Sequence, residues 1–224
     1  MKKFALLTAI SVPIAVLSSN QVQAAGFTET GDAGETISTA QPVILPDSLP
    51  LDSISGTLNG DADLFQISLT GGQSFSATTV GGADFDTQLF LFDSAGKGIY
   101  ANDNASSTPG FNQSTLPTGG FSPTESGIYY LGISGFDYDP VSVGGKIFPD
   151  FPDVAFNQVV GPTGSGGGSP LSGFDGAILD KGGSYTIAVT GAKAVPEPSS
   201  VLGTLALGAC GVGFLLRKKQ TNIS

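Results

Sequence analysis

Apolar residues along the chain recur with a period of two, in short runs closed by turn residues. Period-two alternation marks strands, because successive side chains leave opposite faces of the backbone. Runs with this pattern, or with the β-branched and aromatic composition of strands, are Ser53–Leu58, Asp63–Leu69, Ser74–Val80, Thr87–Phe92, Gly127–Ser134 and Ser184–Thr190. Leu64-Phe65-Gln66-Ile67-Ser68-Leu69 alternates, and Gln88-Leu89-Phe90-Leu91-Phe92 does so less cleanly. Such strands are predicted to set one face on a core and the other in water. Short strands without helical patterns between them predict an all-β, antiparallel β-sandwich.

Between Val141 and Gly173 the alternation dissolves. The stretch KIFPDFPDVAFNQVV holds Ile147, Phe148, Phe151, Val154 and Phe156, too apolar for a free linker, and is read as an excursion packed over the sandwich edge, which would also limit edge-to-edge pairing. The GPTGSGGGSP that follows has the composition of a flexible loop.

Each end carries a different apolar run. At the front, Lys2 and Lys3 precede an apolar stretch from Phe4 to Leu17, then a polar SSNQVQ, with Val22 and Ala24 as small residues. That order is a secretory signal peptide over 1–24, cut after Ala24 by signal peptidase following passage through the Sec translocon. At the back, the apolar run Val201–Leu216, read as a transmembrane helix, covers only about 24 Å against a hydrocarbon core of about 30 Å. Arg217, Lys218 and Lys219 follow it and would be held on the cytoplasmic side, which puts the main domain outside.

Val195-Pro196-Glu197-Pro198, the short Gly- and Leu-rich run and the basic cluster together resemble the PEP-CTERM sorting signal. The resemblance implies an exosortase-like partner that recognises the signal at the inner membrane and cleaves near Pro-Glu-Pro, after a transient stay of the helix in the membrane. Physically, two prolines keep the backbone around Glu197 out of helix and sheet, as a processing site requires.

Composition narrows the chemistry. With Gly 33, Pro 14, 12% charged residues and a mean hydropathy of +0.19, the chain suits turns and strands better than helices or disorder. There is no histidine, which removes Ser-His-Asp and Cys-His catalysis in their usual forms and all His-ligated metal sites. The single cysteine, Cys210, lies in the C-terminal apolar run, so no disulfide framework is available. Setting aside Lys2, Lys3, Glu197, Arg217, Lys218 and Lys219 leaves four cations against 18 acids, a net charge of −14. Such a domain repels phosphate backbones, so nucleic acid is excluded as a partner, and divalent cations are favoured.

A second resemblance covers about residues 32–191. Thr39-Ala40-Gln41-Pro42, Gly60-Asp61-Ala62-Asp63-Leu64-Phe65, the run Asp86–Asp93, the run Gly127–Gly135 and Gly183-Ser184-Tyr185-Thr186-Ile187 are similar, in that order, to the bacterial pre-peptidase C-terminal (PPC) domain. It implies a jelly-roll-like sandwich, here 25–192 with an insertion at about 136–180, serving as an accessory module of secreted and surface proteins. Residues 193–224 then form the sorting tail. Some relatives of that fold bind calcium through acids before the first strand and an Asp-x-Asp that opens a later one. The matching positions are Asp32, Glu35, Asp61 and Asp63, although Gly34-Glu35 stands where an Asn-Asp pair is usual.

Calcium takes six to eight oxygens, and alternate positions on an extended segment point both carboxylates to one side. The competing role for each Asp-x-Asp pair is a turn cap bonded to its own backbone. Asn104-Ala105-Ser106 and Asn112-Gln113-Ser114 fit the glycosylation acceptor pattern, common in loops, and are given no role.

Two functional readings follow. The first is a non-catalytic cell-envelope or extracellular-matrix protein whose sandwich contributes structure, adhesion or binding, with calcium as candidate stabiliser and matrix polysaccharide as candidate partner. The second is a secreted hydrolase acting on surface polysaccharide through paired carboxylates. Intact mass of the protein from its native host is expected to start at Ala25 and to lack residues 199–224; a mass that retains 199–224 removes the cleavage step.

Overall fold

The computed structural model describes residues 24–46, 49–108, 112–117, 123–150 and 153–196. The leader up to residue 23, Glu197, Pro198, the apolar run 201–216 and Arg217, Lys218 and Lys219 lie outside the described residues. Among the described residues the chain is all-β, with 14 strands and no helix long and apolar enough to cross a membrane.

One layer is built from β1 (Ala25–Thr28), β3 (Pro50–Thr57), β14 (Ser184–Lys193), β5 (Ser76–Thr78) and β8 (Thr115–Leu116), hydrogen-bonded in that order. The other runs β2 (Gln41–Pro42), β4 (Ala62–Leu69), β9 (Gly127–Gly135), β6 (Thr87–Phe92), β7 (Gly98–Asn102) and β12 (Val159–Val160). Most pairs are antiparallel, but β1 joins β3 and β2 joins β4 in parallel. The layers are hydrogen-bonded into one sheet where Ala192 and Lys193 of β14 reach Leu69 and Ser68 of β4.

The long strand β14 turns that corner through an irregularity between Ala188 and Ala192. Gly191 adopts φ 75° there, and a Cβ on it would run into the Ser74 carbonyl, so glycine is required on both counts.

Between the layers lies the larger core. Ile54 and Leu58, Phe75, Tyr185 and Ile187 from one side meet Phe65, Ile67, Leu89, Leu91, Leu131 and Ile133 from the other. The expectation that the opposite face of β4 and β6 meets water is corrected. Leu64, Phe90, Phe92 and Tyr130 point away from the first core into a second one, and every residue of β6 is buried.

The excursion supplies the cover. It folds into a small sheet of β11 (Gly145–Lys146), β10 (Tyr138–Ser142) and β13 (Gly173–Gly176) and lays Ile147, Phe148, Leu171 and Phe174 over the β4–β9–β6 face. Phe90 meets Phe148 at 5.9 Å and Phe174 edge-on at 5.7 Å, both favourable ring geometries. The edge reading holds in one place, where β12 pairs with β7; otherwise the excursion covers a face.

The glycine-rich segment is held rather than free. Gly164 N–H donates to Ile147 O at 3.0 Å and Gly166 N–H to Lys146 O at 2.8 Å. A Cβ at Gly164, Gly166 or Gly167 would collide with neighbouring carbonyls, so these glycines serve close backbone approach. Composition alone cannot separate that role from flexibility.

Phe148→Ala is expected to cost about 3 to 5 kcal/mol, as for a phenylalanine in a close-packed core, measured by urea unfolding. A change within about 0.5 kcal/mol, usual for surface positions, would mean that the excursion only drapes over the domain.

Candidate functional site

Parallel pairing of β1 with β3 sets Thr28 beside Ser55, and Glu29 N–H continues the ladder to Ser55 O at 2.8 Å. The chain then leaves the sheet in a turn. Glu29 holds that turn: its Oε1 accepts Ala33 N–H at 3.0 Å and its Oε2 accepts Thr57 N–H at 3.1 Å. Asp32 Oδ1 accepts Gly34 N–H at 3.2 Å, and Leu64 N–H donates to Gly34 O at 3.1 Å, which ties the turn to β4.

Asp63 stands on the strand face shared by Phe65 and Ile67 and is 1% exposed. Its Oδ2 accepts the Tyr185 hydroxyl of β14 at 2.6 Å. Carboxylate oxygens of Glu29, Asp32 and Asp63 lie within 4.8 Å of one another. Burial pushes the Asp63 carboxyl up to about 7, the Tyr185 hydrogen bond opposes that, and the charges of Glu29, Asp61 and Asp32 add to it. Burial and then the Asp63 charge also hold the Tyr185 phenol above its usual range.

The four positions implied by resemblance are thus divided. Asp32 and Asp63 come together. Asp61 Oδ1 caps its own turn by accepting Asn59 N–H at 2.9 Å. Glu35 accepts Ala62 N–H at 3.1 Å and the Tyr138 hydroxyl at 3.0 and 3.1 Å on its two oxygens, so it fastens the excursion to the first segment. Glu29 was not singled out from sequence. The signal was its position at the end of a short strand, Ala25–Thr28, that lies outside the six runs read from alternation.

Asp137, Asp139 and Asp150 also approach within 4.8 Å. Lys146 Nζ occupies that cluster, 2.6 Å from Asp139 Oδ2 and 2.7 Å from Asp150 Oδ1, so its charge is already met. Asp103 is 0% exposed, and burial, then Asp86 and Asp139, push its carboxyl up to about 8. Asp86 is raised to about 6 by burial and by Asp180.

Paired carboxylates across a cleft, needed for glycoside hydrolysis, are represented by Asp93 and Glu125, which line one surface cleft. Asp93 Oδ1, however, accepts Ala95 and Lys97 N–H groups at 2.9 Å each and so caps a turn. Asp84 lines a second cleft with Val80 and Thr186.

Buried acids with raised pKa values hold protons that the unfolded chain, with carboxyls near 3.9, has released. The native state therefore binds more protons than the unfolded one between about pH 4 and 8, and stability falls as pH rises through that window. With chelator present, the melting temperature is expected to be higher at pH 5 than at pH 8, and Asp63→Asn and Asp103→Asn should each flatten the slope. A melting temperature that climbs from pH 5 to 8 would show that neither carboxyl is shifted upward.

Two family models match. Residues 61–135, which span β4 to β9, match the bacterial pre-peptidase C-terminal domain. Residues 194–219 match the PEP-CTERM protein-sorting motif. No curated protein and no solved structure matches the chain. Both descriptions are of non-catalytic elements, an accessory domain and a sorting signal, and a PEP-CTERM motif implies export with the membrane as a station before processing. The chain is thus similar to the PPC domain over 61–135 and to the PEP-CTERM sorting motif over 194–219, and the latter implies an exported, exosortase-sorted protein.

Proposed function

We propose that the mature chain is a non-catalytic structural or adhesive module of the cell envelope or extracellular matrix, with calcium held by Glu29, Asp32 and Asp63. One observation carries this reading: Asp63 is buried at the junction of the β1 turn, β4 and β14, with two further carboxylates against it. Among the described residues no lysine or arginine forms an ion pair with the three. A hard divalent cation takes carboxylate oxygens in irregular geometry, which suits this set. Bound there, it would fasten the first segment of the domain to both layers.

Export supports the location. The leader would take the chain through signal peptidase and the sorting signal would take it to an exosortase-like enzyme, leaving an acidic β-domain outside the membrane. Its surroundings there are polysaccharide and divalent ions, and its charge keeps it from nucleic acid. The hydrolase reading would place chemistry at Asp93 and Glu125, where Asp93 already serves as a cap.

Millimolar calcium is expected to raise the melting temperature of the exported chain. Saturation at about 100 times the dissociation constant corresponds to about 2.7 kcal/mol, or about 5 to 10 °C for a domain of this size. Asp63→Asn should abolish the part of the rise due to this site, and a full rise in that variant would remove these ligands. A polysaccharide hydrolysis screen should find no turnover; turnover abolished by Glu125→Gln in a protein of unchanged melting temperature would establish the hydrolase instead.

A further inference from the structure

Within the excursion one amine is held against two acids. Antiparallel pairing of β10 with β11 sets Val141 opposite Lys146. Asp139 lies two residues before Val141, hence on the same face and diagonal to Lys146, within reach of a long side chain. Lys146 Nζ stands 2.6 Å from Asp139 Oδ2 and 2.7 Å from Asp150 Oδ1. The other oxygen of that carboxyl, Asp139 Oδ1, accepts Gln88 Nε2 at 3.1 Å. Gln88 is 1% exposed, and its amide is oriented by the Ser134 hydroxyl, which donates to Gln88 Oε1 at 3.2 Å.

This arrangement differs from an exposed ion pair, whose long side chains sample many geometries and gain little from any one. Asp139 is 8% exposed, and both its oxygens are engaged. Burial pushes its carboxyl up, against the hydrogen bond from Lys146. For Lys146 burial acts downward, but its bonds to Asp139 and Asp150 outweigh it and hold the ammonium charged at rest. A proton crossing the short contact turns the pair into a neutral acid and a neutral amine, and burial lowers the cost of that step. An amine and a carboxyl held in contact react as one molecule, the entropy of their encounter having been lost already in folding.

We propose that Lys146 and Asp139 condense to an isopeptide bond across the β10–β11 hairpin, with Asp150 as proton carrier and Gln88 as oxyanion donor. Nζ passes one proton to Asp139 Oδ2 and attacks Cγ with the freed electron pair. Negative charge gathers on Oδ1, where Gln88 Nε2 already donates. Asp150, whose carboxylate lies within 4.8 Å of that of Asp139, takes a second proton from Nζ and delivers it to Oδ2. Oδ2 leaves as water while the double bond from Cγ to Oδ1 re-forms. One C–N bond replaces one C–O bond, nothing is oxidised or reduced, and the product keeps the Gln88 contact. The bond would close the hairpin that covers the second core, and it stands independently of the calcium reading.

The test is a tryptic map of the folded full chain by mass spectrometry. Between Lys97 and Lys181 the sequence offers trypsin only Lys146. Trypsin does not cut after an acylated lysine, so residues 98–181 are expected as a single peptide, lighter than its sequence by one water. Lys146→Arg keeps the ion pair but cannot condense, and it should be cut after residue 146 into two fragments of full mass. Asp150→Asn should form the bond about a hundredfold more slowly, as for loss of a proton-transfer group, and leave most freshly made chains uncrosslinked.

Cleavage after Lys146 with both fragments at full mass overturns the proposal, and that result needs no variant to fold. So does a missing water that persists in Lys146→Arg, or one that fragmentation places elsewhere, such as Asp175-Gly176, where an aspartyl-glycyl pair closes to an imide. An Asp150→Asn chain crosslinked as fast and as fully as the parent overturns the role given to Asp150.

Discussion

A strand buried at every position persists only if apolar surface meets it from both sides. β6 is such a strand: Leu89 and Leu91 enter the core between the layers, while Phe90 and Phe92 enter the core beneath the excursion. Fully burying each of these side chains contributes about 1.5 to 3 kcal/mol, so the outer pair would be a large exposed patch if the excursion were absent. The insertion is therefore a structural layer of the domain. Its attachments are built to match, through Tyr138 to Glu35, Gln88 to Asp139, and β12 to β7.

Covering the second face also changes the electrostatics. Polar side chains near the ends of β6 and β7 that would be wet in a two-layer sandwich are enclosed, among them Gln88 and Asp103, together with Asp139 of the excursion. An enclosed carboxylate is tolerated when protonated, paired with a cation or fixed by donors. Asp139 has Lys146, and Asp63 has one phenol. Asp103 has only half of its oxygens met, by one carboxamide. The domain and its margins hold four cations for 18 acids, and among the described residues only Lys146 forms ion pairs, so Asp63 and Asp103 have no ammonium partner. The shortage makes dissolved cations the natural complement.

Much of this was legible in the chain because strand alternation is local. The runs at Asp63–Leu69, Thr87–Phe92, Gly127–Ser134 and Ser184–Thr190 overlap β4, β6, β9 and β14, and the family match over 61–135 covers motifs that carried the resemblance. What could not be read was which outward face is covered, because that depends on a segment more than 50 residues away. The uneven alternation of Leu89-Phe90-Leu91-Phe92 was the local trace of it, since a strand apolar on both sides has no wet face. The candidate site divided for a similar reason. Asp61 and Asp63 share a motif, yet one caps a turn and the other points between the layers, and only the partners of each, Asn59 and Tyr185, distinguish them.

The end of the domain bears on how the chain is sorted. β14 runs to Lys193, Ala194 and Val195 remain buried, and Val195 N–H donates to Val43 O at 2.8 Å. The first residue of the Val-Pro-Glu-Pro motif thus belongs to the fold, and exposure begins at Pro196. Proline there has no N–H to continue a ladder, so the sequence itself ends the sheet at that point. Glu197 and Pro198 follow directly in the sequence, and one residue of chain spans at most about 3.3 to 3.6 Å. An enzyme that cleaved at those residues would have to work close to the domain. A surface with a net charge of −14 is poorly suited to lingering at anionic headgroups. Were the tail cut, the same charge would favour departure from the membrane.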